Sequence, residues 1–231
     1  HSIQKGGGDP AEPAYMSASP LRSDSPLMRA IGRVGDLALV NVLFLICSIP
    51  IVTLGASAAA LNTVAFQMVR GEESGVSRAF FSAFCKNLLQ GVLLTLLFLA
   101  LGAGLYLDLS VMQANPAAVP FLLRVGAGLV AFFGAITLPY IFVLQAKFEN
   151  TIGKTLKNAF VLAVTHPLTA ILCAAMTLAP VLLLLFATYY LLLSSIFWFL
   201  FGFSLIALGN AYLIGRVLRP ILPKPDSKEK S

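Results

Sequence analysis

The 231 residues are 58% hydrophobic and only 11% charged, with a mean hydropathy of +0.87, which leaves too little polar surface to cover a water-soluble globule. The formal charge of +6 does not point to nucleic acid, because the basic residues stand at the ends of apolar runs and are not interleaved with aromatics. These features exclude a soluble enzyme or a nucleic-acid binder and predict an all-α, polytopic membrane helix bundle whose first partner is the lipid bilayer.

In chain order, residues 1–25 hold a glycine triplet, prolines and small polar residues, and are expected to be disordered. Residues 37–69 then run for 33 positions without an acidic or basic side chain. As one helix at about 1.5 Å per residue they would reach roughly 50 Å, past a hydrocarbon core of about 30 Å. With Pro50 in the middle, they read as two crossings, 30–49 and 53–69. Gly55, Ala56, Ala59 and Ala60 supply the small residues that let helices approach closely in lipid.

Residues 70–86 are charged, and Val76, Phe80, Phe84 and Leu88 recur at every fourth position. That pattern predicts an amphipathic helix lying at the membrane surface, followed by a third crossing at 87–107. The fourth crossing is expected at 121–146. A second amphipathic segment carries Ile152, Leu156 and Phe160 with Lys154 and Lys157. Residues 158–215 have no ionisable group of either sign except His166, enough for two crossings, at 167–188 and 195–217, with Pro180 interrupting the first and a turn at 189–195. Residues 26–220 thus form the membrane domain and 221–231 a disordered basic tail.

Charge placement orients the bundle. Of sixteen Lys and Arg, all but Arg124 fall on one side if there are six crossings in three hairpins, so both termini are expected to be cytoplasmic.

Chemistry is sparse. The odd three cysteines, Cys47, Cys85 and Cys173, show no metal-ligand spacing and are expected to pack as small hydrophobes. His166 has no acidic neighbour in sequence, and no phosphate-binding loop, zinc-protease or nucleophile-elbow motif occurs. The expectation is a non-enzyme with no catalytic residue, metal or cofactor. Asn41, Asn62, Gln67, Gln90, Gln145 and Asn210 are the amides in or near the crossings. They serve either as hydrogen-bonding glue between helices or as a path for a polar solute, with Asn62 and Asn210 the intramembrane candidates. Phe80, Phe84, Lys86, Lys154, Leu156, Lys157 and Phe160 are candidates for docking a partner or resting on anionic lipid.

Pro26-Leu27-Met28-Arg29, the run Ile49-Pro50-Ile51-Val52-Thr53-Leu54-Gly55-Ala56, residues 80–87, Phe148-Glu149-Asn150-Thr151, Thr155-Leu156-Lys157-Asn158-Ala159 and Phe201-Gly202-Phe203 together resemble the YesL-like family of uncharacterised bacterial membrane proteins. In that resemblance Pro50, Thr53, Gly55, Asn150 and Asn158 are structural motif positions. It implies a multi-pass protein of the bacterial cell membrane and, from the usual setting of the family's genes, an accessory or permease-like role in carbohydrate uptake and utilisation. Subunits of a sugar importer are then the expected partners, with a sensor kinase scaffold or a stand-alone solute transporter or channel as alternatives. The Glu-Ala-Ala loop by which importer permeases engage their ATPase is missing from both cytoplasmic loops.

Overall fold

The computed structural model describes residues 26–72, 75–114, 120–148, 151–186 and 188–218. The expected disordered segment 1–25, the basic tail and Asn150 lie outside these residues. The chain divides into two compact units, His1–Val34 and Gly35–Ser231. In the first, the described residues form the opening turns of a helix, with Ile31 and Val34 exposed.

Among the described residues there is no strand. The helices are α1 (Pro26–Ser48), α2 (Leu54–Arg70), α3 (Val76–Ala114), α4 (Phe121–Lys147), α5 (Ile152–Thr165), α6 (Pro167–Phe186), α7 (Thr188–Leu193), α8 (Ser195–Phe197) and α9 (Phe203–Leu218). A short 3-10 turn, Ile51–Thr53, precedes α2, and a π-helical turn, Trp198–Gly202, precedes α9. Six stretches are long and apolar enough to cross a membrane: Ile31–Ser48, Ile51–Arg70, Val76–Ala114, Phe121–Lys147, Pro167–Leu184 and Ser195–Leu218. The expected all-helical membrane bundle is therefore what the chain forms.

Helix α2 is the centre of the second unit. Its residues from Gly55 to Asn62 are buried without interruption, and it packs chiefly on α3, then on α9 and α4. Close approach to α3 is set by glycines on both sides. A Cβ added at Gly55 would lie 2.4 Å from the Gly91 carbonyl oxygen, and one added at Gly91 would lie 2.3 Å from the Ala56 nitrogen. Because both obstacles are backbone, no side chain can rotate away. Thr95 completes the contact. Its Oγ1 accepts a 2.9 Å hydrogen bond from the Gly55 amide, one of the helix-start donors with no partner inside α2, and donates at 2.8 Å to the Gly91 carbonyl.

A polar tie links α1 to the last segment. The π turn frees backbone groups that an α-helix would pair internally. Asn41, fully buried, donates through Nδ2 to the carbonyls of Trp198 (3.1 Å) and Phe199 (2.7 Å) and accepts through Oδ1 from the Ser204 amide (2.8 Å). Phe44, one turn further along α1, packs on Phe203 with ring centroids 5.2 Å apart. For Asn41, helix glue is the correct reading.

Several expectations are corrected. The amphipathic segment at 70–86 does not lie separately from the third crossing. From Val76 onward both belong to α3, a single 39-residue helix of roughly 58 Å, because a change from polar to apolar composition supplies no helix-breaking residue. Phe80 is no exposed anchor: it is fully buried in the core with Ala83, and Phe84 packs half-buried against it. In α5 the buried stripe is Thr155, Ala159 and Ala163, whose small side chains let α5 approach α4, while Ile152 and Leu156 are half-buried and Phe160 is exposed. Pro180 does not interrupt α6, which runs through it as α4 runs through Pro139; helices in lipid tolerate proline when neighbours serve the freed carbonyl. Cys173 is buried as expected, whereas Cys85 is exposed.

Candidate functional site

Polar side chains gather at one end of the bundle. The last turns of α2, the first turns of α3, the end of α4 and the start of α5 enclose a cavity of about 690 Å³. Ends of opposite sense meet there because α2, α3 and α4 alternate in direction. Helix α2 contributes Thr63 and Gln67, one turn apart; α3 contributes Ser82, Lys86 and Gln90 at four-residue spacing, with Asn87 beside them. Helix α4 ends with Gln145 and Lys147, and Thr151 stands just before α5. Among the described residues no carboxylate lines this space. A smaller adjoining pocket of about 130 Å³ shares Thr63, Gln67 and Lys147 and adds Phe66, Arg70 and Glu72, the last two paired at 3.5 Å on the surface.

The polar groups are fixed by packing. Gln90 Nε2 donates to Thr155 Oγ1 at 3.4 Å, tying α3 to α5, and Asn87 Nδ2 donates to the Ala83 carbonyl at 2.9 Å. Lys147 Nζ sits 4.5 Å from the centroid of the Phe66 ring, an arrangement in which the ring face attracts the ammonium. Gln145 is the unusual member. It is 3% exposed, its Nε2 makes one long hydrogen bond of 3.5 Å to the Asn87 carbonyl, and its Oε1 has no partner among the described residues. An acceptor buried without a donor costs roughly 1–3 kcal/mol, and here it borders an open polar space.

The structure brings together only part of the residues singled out from sequence. Lys86 lines the cavity. Lys154, Lys157 and Asn158 are exposed on the outer face of α5, where Phe160 is also exposed and Leu156 half-buried. Asn62 and Asn210 are buried in the α2 and α9 packing and do not line the cavity. Asn62 Nδ2 donates to the Ala58 carbonyl and Asn210 Nδ2 to Thr177 Oγ1, both at 2.9 Å. Pro50, in extended conformation, lies between α1 and the 3-10 turn, and Thr53 Oγ1 lies 2.6 Å from the Cys47 carbonyl oxygen and 2.7 Å from that of Pro50. His166 ends α5, exposed, 3.0 Å from the Thr165 hydroxyl. Thr63, Ser82, Asn87, Lys147 and Thr151 were not anticipated as site residues. The signal was present as one polar stripe on α3 and a second on α2, each hidden in the charged edge of an apolar run.

Compared with known proteins, residues 37–109 match the family described as "Protein of unknown function, DUF624". This is the uncharacterised family that the motif residues resemble, matched from α1 through most of α3. No curated protein and no solved structure matches the chain.

Proposed function

We propose that this chain is a non-enzymatic, permease-like component of a bacterial cell membrane that takes a small hydroxylated solute, a saccharide above all, into the vestibule between α2, α3 and α4. One observation carries the reading: in a chain that is 58% hydrophobic, nine polar side chains from four consecutive segments border a single cavity. Hydroxyls and amides in both donor and acceptor roles suit a polyol. Arg70, Arg78, Lys86 and Lys147 cluster at the same end, which under the positive-inside rule supports a cytoplasmic vestibule, and the charge pattern of the sequence supports cytoplasmic termini. The three-hairpin arrangement of the crossings is part of the same proposal.

The test is direct binding of a saccharide panel to the full chain in nanodiscs, beside flux measurements in liposomes. Saturable binding of at least one saccharide is expected, and Ser82→Trp, which fills the vestibule from an exposed position on α3, should remove it. Folded protein that binds no saccharide or simpler polyol overturns the reading.

A second reading has its own observation. Lys154, Lys157 and Phe160 project from the outer face of α5 while Thr155, Ala159 and Ala163 seal its inner face. That outer face suits an accessory subunit docked on a sugar importer or a sensor kinase. Photocrosslinking in cells from positions 157 and 160 would recover such a partner.

A further inference from the structure

We infer that Gln145 is the residue by which the vestibule selects its solute: one hydroxyl of the solute donates a hydrogen bond to the Gln145 carbonyl oxygen, and compounds lacking that donor are rejected. This rests on the vestibule reading above and adds to it a direction of hydrogen bonding at one atom.

A glutamine amide offers two N–H donors and a carbonyl oxygen with two lone pairs. Gln145 is almost wholly withdrawn from water, and the protein serves its amide poorly. Nε2 makes one hydrogen bond, at 3.5 Å, to the Asn87 carbonyl, longer than the roughly 2.7–3.2 Å of an ordinary N–H···O bond. Oε1 has no partner among the described residues. Asn41, just as deeply buried, makes three bonds. The other buried oxygens found without a partner among the described residues, on Asn62, Tyr140 and Asn210, do not line the cavity, whereas Gln145 does.

The neighbouring polar groups cannot impose a direction in the same way. The hydroxyls of Thr63, Ser82 and Thr151 rotate to donate or to accept as a ligand requires, so they hold an alcohol and its ether alike. The amides of Gln67, Asn87 and Gln90 are half-exposed, and a ligand there replaces water or another partner, an exchange of small net value. At Gln145 the oxygen passes from no partner to one, which recovers the cost of its burial. Oε1 is enclosed in the empty vestibule and reaches the solute by rotation about the last side-chain torsion. That torsion is broad in glutamine, and the bond to Asn87 that opposes it is long. A site with a buried acceptor of this kind rejects a deoxygenated analogue far more strongly than an apolar pocket rejects a missing methylene.

The test uses the full chain in phosphatidylcholine nanodiscs, with glucose, galactose, mannose and glycerol as probes beside the singly deoxygenated and singly O-methylated forms of each. For at least one probe, removing or capping one particular hydroxyl should weaken binding at least tenfold. Gln145→Leu should weaken the parent compound by a similar factor and reduce the parent-to-deoxy ratio at that position to about twofold or less. Gln145→Glu, which keeps an acceptor oxygen in the same place, should retain the ratio. A purely structural role would lower the affinity of parent and analogue together and leave the ratio in Gln145→Leu as it was. An unchanged ratio, or a native chain indifferent to the loss of every single hydroxyl, overturns the inference and leaves the vestibule standing. Folded protein that binds none of these probes overturns the inference, and if the rest of the saccharide panel is also unbound it overturns the vestibule reading with it.

Discussion

The two halves of α3 make different uses of one continuous helix. From Val76 to Thr95 it buries Phe80, Ala83, Gly91, Leu94 and Thr95, presents Ser82, Lys86, Asn87 and Gln90 to a polar cavity, and meets α2 backbone to backbone. From Leu96 to Ala114 it buries nothing fully, and most of its leucines are exposed, as are Phe121, Leu122 and Leu123 of α4. The first half derives specificity from close packing, which allows polar groups to be placed and held. The second needs only to be apolar, because lipid tails accept almost any arrangement of leucines. Polar function in this chain therefore lies where the backbones are closest.

The comparison breaks most readily at the glycine contact. Gly91→Val should cost about 3 kcal/mol or more, since overpacking against backbone cannot be relieved by a rotamer change. A large fall in the thermal unfolding midpoint in detergent, with loss of monodisperse protein, is the expected result. Next comes Asn41→Leu, which leaves the Trp198 and Phe199 carbonyls and the Ser204 amide without their partner. Side-chain hydrogen bonds between membrane helices are worth roughly 1–2 kcal/mol at most, so a loss of about 2 kcal/mol is expected in a denaturation titration. Gln145→Leu should leave stability unchanged or slightly raised, because it removes an acceptor that no described residue pairs, while weakening polyol binding at least tenfold. At the far end of the scale, Leu97→Ala, on a side chain 45% exposed, should cost about 0.5 kcal/mol or less.

The fold was legible to the extent that lipid dictates it. Apolar runs of crossing length and the break at Pro50 are one-dimensional signals, and the helices follow them. What hydropathy could not supply was continuity and packing. Nothing between Val76 and Ala114 stops a helix, so the amphipathic segment and the crossing fuse, and Phe80 turns into the core where the four-residue stripe suggested an exposed anchor. The π turn at Trp198–Gly202 carries no composition signal; it exists because Asn41, more than 150 residues earlier, serves the groups it frees. The candidate site was still less legible. Lys86, Gln67, Gln90 and Gln145 could be noticed as polar residues near apolar runs, but only three-dimensional packing puts them around one space, and Thr63, Ser82 and Thr151 look like ordinary helix or loop residues until it does. The family match covers residues 37–109 and says nothing of the cavity that α2 and α3 help to form.

The most direct test of the contrast is thiol accessibility in liposomes, with Cys47, Cys85 and Cys173 replaced by alanine and a single cysteine introduced at Ser82 or at Leu99. Ser82→Cys is expected to react with a charged, water-soluble thiol reagent and to be slowed by a bound polyol, while Leu99→Cys reacts only with a lipid-soluble one. Equal reactivity of the two positions toward the charged reagent, or refusal of it at Ser82→Cys, would contradict the account.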